Sequence, residues 1–229
     1  VTATINTGGL DAAATEALAE RAKLLGATDH FIVEARDEFF EKVLKFLIMG
    51  NVRRGQLYPL CVGAERGIQA RYLAELATKL GADTVAHGCT AAGNDQVRFE
   101  IILKTLAPDL EVLAPVRDHS WAREDQLAYL AEHGLPEPTA GSAYSINRGL
   151  WGVTIGGTET LDSVDSIPES AWVLSSGAFD SPATAEELTI GFEKGVPVAL
   201  NGKSLAPVAL IEQLELFGQR FGIGRGIHL

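Results

Sequence analysis

Short apolar runs alternating with amphipathic helical patterns occupy residues 2–132 and restrict the chain to few architectures. Residues 2–6, 30–33, 84–87 and 111–115 read as strands. Between them, residues 12–25 place Ala14, Leu18, Ala22 and Leu25 on one helical face, with Gly26 as the stop. Asp37 is placed to cap a helix that buries Phe40, Val43, Leu44 and Leu47. A longer helix runs through Ile68, Tyr72, Leu73, Leu76 and Leu80 to Gly81, and others span 97–106 and 123–132. Strands joined through helices pair in parallel and are covered on both faces. Ligands of such sheets bind at the carboxyl ends of the strands.

The pattern changes at Gly134-Leu135-Pro136-Glu137-Pro138. Beyond it, residues 152–155, 172–174 and 188–192 are short strand-like pieces. Asn201-Gly202 sits between two alternating runs, the strongest short signal for a two-residue hairpin turn. Pro207 then opens a helix with Leu210, Leu214, Phe217 and Phe221 on its core side. The expected organisation is an α/β domain over 1–136 and a smaller α+β domain over 137–229.

The chain carries 30 acidic against 19 basic residues, a net charge of -11, with no Lys/Arg run. That balance argues against nucleic acid or an anionic membrane as partner. No apolar stretch is long enough to cross a bilayer, and no leader is visible. Cys61 and Cys89 lie far apart without zinc-type spacing, which fits a reducing cytoplasm. Val1-Thr2-Ala3 begins inside a strand and Gly226-Ile227-His228-Leu229 ends as an apolar run starts, so both ends read as cut from a longer chain.

The densest polar chemistry lies in Ala86-His87-Gly88-Cys89-Thr90-Ala91-Ala92-Gly93-Asn94-Asp95-Gln96-Val97-Arg98-Phe99-Glu100. Small residues let a ligand approach the backbone, and Asn94 or Asp95 is placed to cap the next helix. Phe99, Ile102, Leu103 and Leu106 form its expected buried face, turning Arg98 outward. Asp95 and Arg98, three apart, then share the first turn, beside the positive helix end that suits an anion. By physics alone this is a candidate polar-ligand site, and also how an ordinary strand-to-helix turn looks.

His-Gly-x-Thr followed by Gly-Asn-Asp-Gln-Val-Arg-Phe-Glu resembles the signature of the argininosuccinate synthase family. The resemblance extends to Tyr58-Pro59-Leu60, Leu106-Ala107-Pro108-Asp109, Tyr144-Ser145-Ile146-Asn147 with Leu150-Trp151-Gly152, and residues 191–202. It implies a Rossmann-like parallel sheet of the adenine-nucleotide α-hydrolase type, its first strand missing here, followed by the smaller α+β domain. It implies ATP-dependent joining of citrulline to aspartate through a citrullyl-adenylate, with Mg2+ accompanying ATP, in a cytoplasmic homotetramer. Thr90, Asn94 and Asp95 would hold aspartate, and Tyr58, Asn94, Arg98, Ser145 and Thr154 citrulline. Ile5, Ala86, His87, Gly88, Thr90 and Asn94 would line ATP. No residue is given a proton-transfer role and no protein-bound metal is expected, because activation and displacement need positioning and charge stabilisation above all.

Other readings of these residues stay open. Tyr58 also suits a core aromatic with its hydroxyl at the rim, and Ser145 and Thr154 suit plain turn or strand hydroxyls. His87 at a strand end suits a structural histidine. Thr7-Gly8-Gly9-Leu10-Asp11 resembles the family's pyrophosphate loop, but register assigns residues 2–9 to the family's second strand and adenine-side turn. Three positions depart from the family: Gly63 replaces a citrulline-contacting Ser or Thr, Ala91 a Gly, and Ala92 a frequent Lys. The alternatives are a non-catalytic ligand-binding or subunit-pairing module, or another ligase of the same nucleotide-binding fold.

Overall fold

Strands β1 (Thr2–Asn6) and β2 (His30–Glu34) run parallel, in register from Thr2 opposite His30 to Asn6 opposite Glu34. The computed structural model describes residues 1–91, 93–136, 144–162, 164–180 and 183–227. Helix α1 (Ala12–Leu24) connects the two strands. Asp11 caps it, its carboxylate accepting the Ala14 N–H at 2.8 Å. Asn6 closes the end of the pair through Nδ2 to Glu34 Oε1 at 2.6 Å.

The chain then carries helical geometry from Arg36 to Met49, as α2 (Arg36–Phe39), a π turn (Phe40–Leu44) and α3 (Lys45–Met49). The wider π turn shifts the inward face, so Phe39 joins Phe40 and Leu44 in the core, while Val43 and Leu47 are only half-buried. Asp37 lies inside the first turn rather than before it. Helix α4 (Cys61–Leu80) precedes β3 (Thr84–Ala86), α5 (Asp95–Leu106) and β4 (Glu111–Leu113), and β3 and β4 are again parallel. Helices α6 (Pro115–Asp118) and α7 (Arg123–Glu132) follow.

Strand β5 (Ser145–Gly149) pairs antiparallel with β6 (Gly152–Gly156). Strands β7 (Ile190–Glu193), β8 (Val196–Leu200) and β9 (Lys203–Ser204) form an antiparallel sheet in that order, and α8 (Pro207–Phe221) packs on β8. Asn201 and Gly202 both take positive φ, 49° and 77°, as the expected two-residue turn demands. Pro207 stands at the start of α8, where its missing N–H leaves no intrahelical bond unmade. Residues 172–174 are not a strand: successive turns carry the chain there, including Ser175 N–H to Trp172 C=O.

The described residues group into two units. Among them the first holds 1–6, 10–35 and 66 to 136, the second 7–9, 36–65 and 144 to 227. In the first, Ala74, Ala77, Val85 and Leu103 form the core, with Leu73, Phe99, Leu110 and Val112 packed against them. Ala74 and Ala77 take the inner face of α4 together with two of the expected residues, buried Ile68 and partly buried Leu73, whereas Leu76 is half-buried and Leu80 exposed. Helix α1 buries no residue fully, and Leu18 and Leu25 of its expected inner face are exposed. Leu106 likewise points outward from α5. In the second unit the buried apolar residues include Phe39, Phe40, Leu44, Leu200, Val208, Leu210 and Ile211. The sequence-expected boundary at 136/137 borders residues 137–143, which lie outside the described residues. Among the described residues no helix is long and apolar enough to cross a membrane.

Candidate functional site

In the first unit, β3 delivers the chain into the loop 87–94 at its carboxyl end. His87 continues the strand by one bond, its N–H donating to the Leu113 carbonyl at 2.9 Å. Its ring lies 6.0 Å from that of Phe99, and its Nδ1 accepts the Cys89 N–H at 3.3 Å. That bond makes Nε2 the protonated nitrogen, and Nε2 is buried without a partner among the described residues. Burial, then the nearby Arg117 guanidinium, pushes the His87 pKa below 6.5.

The loop itself is open. Ala86, Gly88, Thr90 and Asn94 are exposed, and a Cβ built on Gly88 would meet nothing within 4 Å. Gly88 thus leaves its backbone bare to an incoming group. Ala91 does not take a positive φ, so alanine there carries no left-handed strain. Ala92 lies outside the described residues.

Asn94 stands at the N-cap position of α5 but makes no capping bond, because its φ of -88° and ψ of -6° are already helical. Gln96 holds the loop instead, its Nε2 donating to the carbonyls of Ala91 at 2.9 Å and Gly93 at 3.3 Å. Asp95 occupies the first turn and meets two guanidinium groups. Arg98 Nη1 reaches Oδ1 at 2.8 Å and Arg66 Nε reaches Oδ2 at 3.1 Å. The Asp95–Arg98 pair matches the three-residue spacing, whereas Arg66 arrives from α4 with no local signal in the sequence. Arg66 is in turn steadied by Gln69, Nη1 to Oε1 at 3.0 Å. The result is a carboxylate between two arginines at the positive end of a helix, half-exposed beside an open loop. Ile5 lies half-buried in β1, opposite Val33.

In the second unit, Tyr58 precedes α4 and is half-buried. Burial, then the neighbouring Cys61 thiol, raises its pKa, while the backbone N–H groups of Val62 and Gly63 oppose that rise. Gly63 sits in the first turn of α4, so the missing hydroxyl leaves backbone beside the Tyr58 hydroxyl. Ser145 and Thr154 fall on one face of the β5–β6 hairpin: Ser145 pairs with Gly156, and Thr154 with Asn147 two residues along. Trp151 at the hairpin turn donates Nε1–H to the Pro59 carbonyl at 3.0 Å, tying the hairpin to the Tyr58-Pro59-Leu60 segment.

Thr7-Gly8-Gly9 is filled by this same hairpin. A Cβ on Gly8 would lie 2.5 Å from Leu150 atoms, and one on Gly9 2.5 Å from the Arg148 carbonyl oxygen. Buried Thr7 donates to buried Glu65, Oγ1 to Oε2 at 3.0 Å, and Gly149 leaves room for that carboxylate. Close packing of the hairpin, rather than a phosphate, accounts for the two glycines. Glu65 and Trp151 were not legible as site-shaping residues, since each acts on a segment far away in sequence.

The family model described as "Arginosuccinate synthase N-terminal HUP domain" matches residues 1–136, and "Arginosuccinate synthase C-terminal domain" matches 144–228. Among curated proteins, an argininosuccinate synthase of Geobacillus kaustophilus is 39% identical over 211 residues, covering 92% of this chain and 52% of the relative. One from Lactococcus lactis subsp. lactis is 36% identical, covering 92% and 53%. One from Symbiobacterium thermophilum is 39% identical over 215 residues, covering 93% and 54%. The chain spans about half the length of the curated relatives it matches.

Proposed function

Because this chain belongs to the argininosuccinate synthase family, we propose that it contributes the amino-acid-binding part of an enzyme that joins citrulline to aspartate at the expense of ATP. The products are argininosuccinate, AMP and pyrophosphate. The ureido oxygen of citrulline attacks the α-phosphorus of ATP, and the bond to pyrophosphate breaks. The aspartate amine then attacks the ureido carbon of the citrullyl-adenylate, losing a proton as the C–O bond to AMP breaks. Neither step needs a strong acid or base from the protein; both need orientation and charge control.

The observation that carries this reading is Asp95 held between Arg66 and Arg98 at an exposed strand-to-helix loop. Asp95 suits the ammonium group of aspartate, with Thr90 and Asn94 of the same loop as further aspartate contacts, and Arg98 suits the carboxylate of citrulline. Tyr58, Ser145 and Thr154 would contact citrulline from the second unit's own elements. Ala86, His87, Gly88, Thr90 and Asn94, with Ile5 on β1, would line the nucleotide; the bare Gly88 backbone and the unpartnered His87 Nε2–H support this. ATP arrives as substrate with Mg2+ on its phosphates. The residues in Thr7-Gly8-Gly9 do not suit those phosphates, since the hairpin packs there.

The finer fold assignment follows from the same reading. The sheet lacks the family's first strand, and the separate parallel pairs β1–β2 and β3–β4 support that. The domains run over 1–136 and 137–229, and the enzyme is a cytoplasmic homotetramer. Pyrophosphate release measured on the protein that contains this chain tests the proposal. Release that needs ATP, citrulline and aspartate together supports it, and release independent of citrulline overturns it.

A further inference from the structure

Arg225 in the second unit is bound as a ligand is bound. Its Nη1 and Nη2 meet Glu169 Oε2 and Oε1, each at 2.7 Å, in a two-pronged pair. Nε donates to Ser175 Oγ at 2.9 Å, and Nη2 donates also to the Ser175 carbonyl. The guanidinium carbon lies 4.9 Å from the Trp172 ring centre and 4.6 Å from that of Phe179. A planar cation with a carboxylate along one edge, a serine at the other and aromatic rings within cation–π range has its charge, shape and donors all recognised.

The receiving loop is organised by its own backbone. Trp172 N–H bonds the Glu169 carbonyl, Ser175 N–H that of Trp172, Ala178 N–H that of Ser175, and Asp180 N–H that of Gly177. Gly177 N–H also donates to Glu169 Oε1 at 3.0 Å, aiming the carboxylate whether or not an arginine is present. The arginine neighbour holds the Glu169 pKa below the usual carboxylate range. The segment that brings Arg225 is of a different kind. Gly222, Gly224 and Gly226 punctuate it, Gly222 and Gly224 with positive φ, and Ile223 and Ile227 are 72% and 68% exposed. Gly226 rests on Leu57, which is 41% exposed. A self-ordered receptor is thus paired with a glycine-punctuated strap.

From this asymmetry we propose that residues 169–179 form a guanidinium-binding site whose present occupant, Arg225, exchanges with a guanidinium-bearing ligand from solution. The inference does not depend on the ligase reading above. Exchange releases the strap 222–227 and places the ligand's guanidinium between Trp172 and Phe179.

The test uses methylguanidine at low millimolar concentration, with methylurea as its neutral isostere and methylammonium as a point charge. Methylurea shares the ureido head of citrulline, so only binding that responds to Glu169→Gln is assigned to residues 169–179, which keeps the outcome separate from citrulline or aspartate binding. Calorimetry on the Arg225→Ala chain is expected to show saturable binding of methylguanidine alone. Glu169→Gln added to that chain is expected to weaken it by at least about tenfold, the loss of a charged two-pronged pair. Methylurea binding equally well with the same dependence on Glu169, or no weakening of methylguanidine binding by Glu169→Gln, would overturn the proposal. On the unaltered chain, methylguanidine is expected to raise amide hydrogen exchange across 222–227 several-fold. Unchanged exchange under saturating methylguanidine would contradict the exchange of occupants.

Discussion

Arg66 Nε lies 3.1 Å from Asp95 Oδ2, joining the second turn of one helix to the first turn of another across 29 positions of sequence. With Arg98 on the other oxygen, the Asp95 carboxylate is fixed in orientation before any ligand arrives. Replacing Asp95 with Asn removes the negative charge that both arginines meet. The three groups are partly exposed, so the expected loss of stability is only about 1 kcal/mol. The expected loss of aspartate affinity is larger, about tenfold or more. Thermal unfolding and calorimetry on Asp95→Asn separate the two quantities.

Arg66 lies outside the signature run, yet its removal frees one side of Asp95. Arg66→Ala is expected to weaken aspartate binding several-fold, and Arg66→Lys to restore it only partly, because Nε approaches from the side of a planar fork. Titration of both variants with aspartate checks this.

Among the described glycines, Gly149 is where a built Cβ comes nearest to another atom. A Cβ there would lie 2.2 Å from Glu65 Oε2, in a buried setting where the carboxylate also accepts from Thr7. Gly149→Ala is expected to destabilise the chain by about 2–3 kcal/mol. Glu65→Ala alone is expected to cost about 1–3 kcal/mol by removing the buried carboxylate that accepts from the Thr7 hydroxyl. The double variant is expected to be less unstable than the sum of the two, since the clash goes with the carboxylate. Denaturant unfolding of the four chains closes the cycle.

His87 gives stability a pH dependence of definite sign. Its folded-state pKa lies below the unfolded value of 6.5, so the unfolded chain binds more protons between the two. Its contribution is complete above about pH 6.5 and is lost as the pH falls below that value toward the lowered pKa. His87→Gln is expected to flatten the stability profile in that acidic window and leave it unchanged at pH 8. Unfolding midpoints at a series of pH values provide the check.

The two thiols are expected to be poor nucleophiles at neutral pH. Burial raises the pKa of both, and at Cys89 the Asp95 carboxylate adds to the rise. Cys61 is buried and Cys89 half-exposed, so iodoacetamide is expected to alkylate Cys89 first and Cys61 only on unfolding. Mass spectrometry of timed samples gives the order.

Much of the fold was legible because local chemistry and tertiary structure agree. Gly26, Gly81, Asn201-Gly202 and Pro207 act where their residue types demand, and the parallel pairing of β1 with β2 and β3 with β4 follows from strands separated by helices. What was missed depends on partners. Ser145–Gly149 has one apolar side chain, Ile146, and becomes a strand through its ladder to β6. The π turn over Phe40–Leu44 changes which residues face inward without any breaker residue to announce it. In the candidate site, the Asp95–Arg98 pair was readable from spacing, whereas Arg66 and the burial of Thr7 against Glu65 were not. Asn94 looked like a cap, but its helical backbone gave the loop to Gln96 instead.

The most direct test of the aspartate and citrulline clamp is calorimetric titration of the 229-residue chain with L-aspartate, L-citrulline and ATP in turn. Saturable binding of aspartate, weakened by Asp95→Asn and by Thr90→Ala, is the expected result. Silence with all three ligands from a chain whose cooperative unfolding shows it to be folded would contradict it.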